Sequence, residues 1–179
     1  PAAFPPEKVE ISLGKVIADQ GKNQLRVAET EKYAHVTYFF NGLQDALLPQ
    51  EYRVLIPSKT VAHHDEKPEM MAAEITNRIS QALQDGEMDF ILVNYANADV
   101  IAHTGNYDAA VQAVKTIDQE LARLVKAVLA NNAIMLITAD HGNIEQMIDP
   151  VSGVPETKHN PSPVPVYLIA REYQKQKSP

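Results

Sequence analysis

The apolar run Ala133-Ile134-Met135-Leu136-Ile137-Thr138-Ala139 stops at Asp140-His141-Gly142-Asn143. A run this short reads as a buried strand, and the Gly-Asn pair reads as the turn that ends it. Upstream lie a second apolar run, Phe90–Tyr95, and between the two a long helical pattern. In that pattern Ala110, Val111, Val114, Ile117, Leu121, Leu124, Val125 and Val128 trace one face from about Tyr107 to Ala130. Strand, helix, strand is a βαβ unit, which requires a crossover and favours a parallel sheet. The expected fold class is therefore α/β, with a mostly parallel sheet flanked by helices.

The rest of the chain fits that class. A helix is expected over Val9–Ala18 with Gly21 as its stop, then a short strand over Gln24–Val27 and a charged turn, Glu29-Thr30-Glu31-Lys32. His35–Phe40 reads as a strand ended by Asn41-Gly42, and Tyr52–Pro57 as another. Pro68 opens a helix running to about Leu83, and Val166–Ala170 is the last strand. The opening Pro1-Ala2-Ala3-Phe4-Pro5-Pro6 is stiff, so residues 1–8 read as linker-like.

Size and composition narrow the function. The 179 residues suit one domain, and no apolar run approaches the roughly 18–20 residues that span a bilayer. A formal charge of −7 argues against nucleic acid as a partner, because such binding needs basic patches that displace counterions. The chain has no cysteine, so thiolate chemistry is excluded and any metal must use oxygen and imidazole ligands. A reducing, cytoplasmic setting is compatible with that composition.

Ligands of that kind gather at strand ends, where parallel α/β sheets bind their substrates. Asp99 and His103 follow the run at Phe90–Tyr95 and stand four apart, so one helical turn would bring both to one face. Asp140 and His141 are neighbours, and the turn after them frees both to meet ions a few ångströms apart. His159 sits in a proline-rich approach to the last strand, which holds its position at little entropic cost. Taken together these five residues read as a two-metal site, in which the ions lie about 3.5–4 Å apart and clamp a phosphoryl group. Mixed Asp/His sites favour Mn²⁺, with Zn²⁺, Co²⁺ or Mg²⁺ as alternatives.

Three other polar positions are ambiguous. Lys32 could meet a phosphoryl oxygen as a point charge, or be a surface lysine balanced by Glu29 and Glu31. The pair His63-His64 before Asp65 looks metallophilic, but no strand positions it, so it reads as a decoy. His35 heads an expected strand and reads as a hydrogen-bonded structural histidine.

These stretches together resemble the cofactor-independent phosphoglycerate mutases of the alkaline phosphatase-like superfamily. The resemblance rests on Ala28-Glu29-Thr30-Glu31-Lys32-Tyr33-Ala34-His35-Val36-Thr37 and on Asn94-Tyr95-Ala96-Asn97-Ala98-Asp99 with His103-Thr104-Gly105. It continues through Ile137-Thr138-Ala139-Asp140-His141-Gly142-Asn143 and His159 with Pro163-Val164-Pro165, over almost the whole chain. The resemblance implies one Mn²⁺ held by Asp99, His103 and His159. It implies a second held by Asp140 and His141, completed by an aspartate and a serine nucleophile from an amino-terminal portion not in this sequence. That serine would carry the phosphoryl group between the 3- and 2-hydroxyls of phosphoglycerate, with Lys32 matching the family lysine beside it.

The resemblance thus implies the carboxy-terminal part of the phosphatase domain, incomplete at its amino-terminal side and inactive alone. The missing portion would act in cis or in trans. Another phosphomutase or phosphatase of the superfamily, or a non-catalytic metal-binding remnant, would share the same metal motifs. Three local departures stand out. Ala98 replaces a common proline, Asn160-Pro161-Ser162 replaces a Thr-rich run, and Asn41-Gly42-Leu43 replaces Asn-Gly-Gly. A leucine with positive φ would cost about 1–2 kcal/mol, so the last turn is expected to be reshaped.

Overall fold

The computed structural model describes residues 9–173; the linker-like reading of residues 1–8 lies outside them. Three strands form a parallel sheet in the order β2-β1-β3, with β1 at Gln24–Glu29, β2 at Glu51–Ile56 and β3 at Phe90–Asn94. The central strand β1 is buried along its whole length. Gln24 is aligned with both Glu51 and Phe90, so the three strands run level and their carboxyl ends open on one edge.

Helices α2 (Ala72–Asp85) and α4 (Tyr107–Ala130) pack together against this sheet. Ile75, Ile79 and Ala82 of α2 and Leu124 and Val128 of α4 meet Leu25 and Val27 of β1 in one core. Burial of such side chains contributes roughly 1.5–3 kcal/mol each for the larger ones, the main source of stability in this layer. Helix α2 is stopped by Gly86, whose φ of 68° closes the last turn as a left-handed cap. The side chain of Asn106 caps α4 by accepting from the Ala109 amide. Among the described residues no helix is long and apolar enough to cross a membrane.

Several elements differ from the sequence expectations. Helix α1 is shorter, Leu13–Asp19, because Ser12 caps it and leaves Val9 and Ile11 in solvent. Helix α2 starts at Ala72 rather than Pro68, after a turn in which Met70 takes φ 45°. The face of α4 is only partly buried, with Val111 and Val114 exposed and Ala109, Ala110 and Ala113 packed instead.

The expected strand at His35–Phe40 is a π-helical turn over His35–Phe39. Helical backbone begins in the 3-10 turn Thr30–Lys32 and continues through Tyr33 and Ala34. Thr37 reinforces it, donating its hydroxyl to the Tyr33 carbonyl at 2.8 Å. An aromatic, β-branched run favours a strand only where a neighbouring strand exists to pair with it, and here none does among the described residues.

The βαβ expectation for Phe90–Ala139 fails in its final pairing. Strand β4, Met135–Ile137, bonds not to β3 but antiparallel to β5, Tyr167–Ile169. A crossover helix returns the chain to a sheet layer without dictating which strand lies beside it. Here the proline-rich segment brings β5 back along β4, and that strand meets the backbone groups of β4.

The turn after the π-helix keeps its conformation rather than being reshaped. Gly42 has φ 70° and Leu43 has φ 65°, so a leucine occupies a left-handed position. Glycine is required at position 42, since an added Cβ there would lie 2.4 Å from the Val9 carbonyl oxygen. Leu43→Gly is therefore expected to stabilise the chain by roughly 0.5–1 kcal/mol, the relief of strain less the added unfolded-state entropy. A rise in melting temperature measured by circular dichroism would register it.

Candidate metal centre

Asp99 is the hub of the site. It lies in the short helix α3, Asn97–Ala102, directly after β3, and His103 closes that helix. The i,i+4 spacing brings His103 Nε2 to 3.1 Å from Asp99 Oδ1, as a single turn requires. The Nε2 of His159 lies 2.9 Å from the same oxygen and 3.0 Å from His103 Nε2.

A backbone bridge delivers His159. The Asn160 amide donates to the Gly142 carbonyl at 2.9 Å, and the Gly142 amide donates back to Asn160 at 3.3 Å. This pairing ties the Asp140–Asn143 turn to the proline-rich segment and sets His141 against His159, their rings stacked with centroids 3.6 Å apart. Glycine at position 142 leaves room for two side chains to close over it. An added Cβ would lie 2.2 Å from Asn160 Oδ1 and 2.4 Å from Glu145 Oε1.

Two further groups hold the Asp99 carboxylate. Lys32, buried at the end of β1, donates to Oδ2 at 2.5 Å, and the Asn143 side-chain amide donates to Oδ1 at 2.8 Å. Burial opposes ionisation of Asp99, but the bonds from Lys32 and Asn143 and the charges of Lys32 and His103 outweigh it. The carboxyl is held well below the usual carboxylate range.

The donor set suits a cation. His103 donates from Nδ1 to the Thr157 carbonyl at 2.6 Å, which leaves the lone pair of Nε2 facing Asp99 and His159. Ligand atoms of Asp99, His141 and His159 all lie within 4.8 Å of one another. Lone pairs converging at this spacing repel unless a proton or a cation lies among them. Asp140 is more exposed, and its Oδ2 lies 3.5 Å from His141 Nε2.

Asp99, His103, His141, His159 and Lys32 thus meet at one edge of the fold, after β1, β3 and β4 and before β5, and Asp140 adjoins them through its neighbour His141. The pair His63-His64 does not join them. It lines a neighbouring open pocket with Glu31, Asp65 and His103, with His64 Nε2 3.6 Å from Glu31 Oε1. Sequence reasoning missed Asn143 as a partner of Asp99 and Glu145 as the support of its loop. Glu145 accepts from the Asn143 amide at 2.7 Å. The Gly-Asn motif marked only a turn, and no periodicity signals a side chain that folds back onto another segment.

The resemblance is matched by comparison with known proteins. Residues 3–179 match the model of the Metalloenzyme superfamily, and the chain belongs to that superfamily. Its fold is the α/β, largely parallel arrangement of the alkaline phosphatase-like class. Among curated relatives, a 2,3-bisphosphoglycerate-independent phosphoglycerate mutase of Cellvibrio japonicus is 49% identical over 170 residues, 95% of this chain and 33% of the relative. The enzyme of the same name from Laribacter hongkongensis is 51% identical over 167 residues, 93% of this chain and 33% of its own length. A crystal structure of Leishmania mexicana phosphoglycerate mutase at low cobalt concentration superposes with a TM-score of 0.82 at 34% identity. It covers 87% of this chain and 30% of that one. The chain spans about a third of the length of the curated relatives it matches.

Because the folded-state pKa of Asp99 is depressed, its contribution to stability is complete above the unfolded value near ~3.9 and is lost as pH falls below it. Thermal melts between pH 6 and pH 3 (about the carboxylate range) should therefore fall more steeply for the wild type than for Asp99→Asn. For the metal, Asp140→Asn should weaken Mn²⁺ binding in calorimetry by at least the about 10–100-fold that loss of a supporting partner costs. His64→Ala should leave it unchanged, and the reverse pattern would place the cation in the neighbouring pocket.

Proposed function

We propose that this chain is the metal-binding part of a phosphoglycerate mutase that interconverts 3- and 2-phosphoglycerate through a phosphoserine intermediate. In this reading it is the carboxy-terminal part of the phosphatase domain. The serine nucleophile and the substrate-clamping groups come from outside these 179 residues, in cis or in trans. The observation that carries it is the convergence of Asp99, His103, His141, His159 and buried Lys32 at one sheet edge. The relatives that match nearly all of this chain bear the mutase name, and that supports the substrate class.

Asp99, His103 and His159 would hold one Mn²⁺, and Asp140 and His141 would contribute to a second, with Co²⁺ as a substitute. When bound, the ions supply charge neutralisation and activation of an oxygen nucleophile. The chain's own groups do the rest. Lys32 is fixed by Asp99 with its ammonium in the site, where it can bind an anionic oxygen and orient it. The Thr157 carbonyl fixes the tautomer of His103, and Asn143 steadies Asp99 so that its oxygens keep their aim. Phosphoryl transfer depends mainly on such positioning and electrostatic stabilisation. A cytoplasmic, glycolytic or gluconeogenic role follows from this reading, and the absence of cysteine agrees with it.

The test is a chimera that joins this chain to the amino-terminal two-thirds of the Cellvibrio japonicus relative. It is expected to convert 3-phosphoglycerate to 2-phosphoglycerate in an enolase-coupled assay. Lys32→Ala should lower its turnover by about 10²–10³-fold, the scale for removing one charge-stabilising donor. Release of free phosphate without isomerisation would make the chain part of a phosphatase instead.

A further inference from the structure

His35 stands three residues after Lys32 on continuous helical backbone, so both side chains leave the same face of the turn. That turn is π-helical at His35–Phe39, a rare distortion that occurs frequently at functional sites. The imidazole is not the hydrogen-bonded structural histidine expected from sequence. Its Nδ1 is buried and has no hydrogen-bond partner among the described residues, and its ring packs against Phe39 with centroids 5.4 Å apart. Its Nε2 is not among the buried, unpartnered atoms. The charged groups that act on the ring are Lys32, Asp140, Asp99 and His141, the groups of the metal centre.

A buried N–H without an acceptor is rarer and costlier than a buried lone pair without a donor. The proton of the neutral ring therefore sits on Nε2, and Nδ1 keeps the unused lone pair. Burial, then the charge of Lys32, favours the neutral form by lowering the pKa, against the opposing pull of Asp140 and Asp99. A neutral Nε2–H on the same face of the turn as the Lys32 ammonium is a hydrogen-bond donor with no acceptor among the described residues. It is suited to an anionic oxygen and unsuited to a cation, which needs a lone pair.

We propose that His35 is a second phosphoryl-binding residue of this site, donating from Nε2 to an anionic oxygen held beside Lys32. The inference rests on the reading of the site as a phosphoryl-transfer centre. It gives a role to a residue that the metal ligands and Lys32 leave unexplained. Lys32 supplies charge without direction; His35 supplies a single directed donor and so fixes the rotation of the bound group.

The test titrates the Mn²⁺-loaded chain with inorganic phosphate by calorimetry, for the wild type, His35→Phe and His35→Gln. Glutamine places an amide donor near the position of Nε2; phenylalanine keeps the ring and removes the donor. Mn²⁺ affinity is expected to be unchanged in both variants. Phosphate affinity should fall about 10- to 100-fold in His35→Phe, the scale of a charge-assisted hydrogen bond, and recover to within about threefold of wild type in His35→Gln.

Equal phosphate affinity in wild type and His35→Phe would overturn the proposal alone. A wild-type chain that takes up Mn²⁺ and no phosphate would remove the phosphoryl reading as well. Loss of Mn²⁺ affinity in His35→Phe would make His35 a support of the metal ligands, which also overturns it. Imidazole ¹⁵N spectra of the Zn²⁺-loaded wild type need no variant. They should show His35 as the Nε2–H tautomer, with that nitrogen shifting on addition of phosphate, and an Nδ1–H tautomer would contradict the assignment.

Discussion

The ion pair between Lys32 and Asp99 joins two of the strands whose ends build the site. Lys32 follows β1 and Asp99 follows β3, neighbours in the parallel sheet, so the 2.5 Å contact needs no long reach by either residue. Both side chains are largely withdrawn from water, at 8% and 17% exposure, where an unpaired charge would be costly. Each therefore needs the other. That need fixes the carboxylate toward which the histidines point, and from it the remainder of the centre is organised.

Much of this was readable from the chain alone because the evidence was local. Asp140-His141 and Asp99 with His103 each follow an apolar run, and strand ends of α/β folds are where ligand-binding groups gather. Lys32 was ambiguous among Glu29 and Glu31 until burial separated them. Glu29 turns inward and accepts from the Ser58 hydroxyl at 2.9 Å, and burial raises its pKa, whereas Lys32 turns to Asp99. What could not be read was non-local. The strand expected at His35–Phe40 has the right residue types, yet helical backbone entering from Thr30 decides its form. The neighbour of β4 is set by the return of the proline-rich segment, a fact no periodicity encodes.

The apolar groove between α4 and the β4–β5 pair has the same origin. Leu121 and Val125 line it from the helix, Ile137 and Leu168 from the strands, and Val166 from the segment just before β5. The apolar stripe of α4 is wider than its buried face, and Val114 on the helix and Leu136 and Tyr167 on the strands are exposed.

The bridge between Gly142 and Asn160 also governs how the centre could come apart. One histidine lies immediately before each bridged residue, and the bridge has hydrogen bonds in both directions. Displacing either loop must drag the neighbouring imidazole of the other or break both bonds at once. The two imidazoles are thereby mechanically linked, and the position of one loop constrains the position of the other.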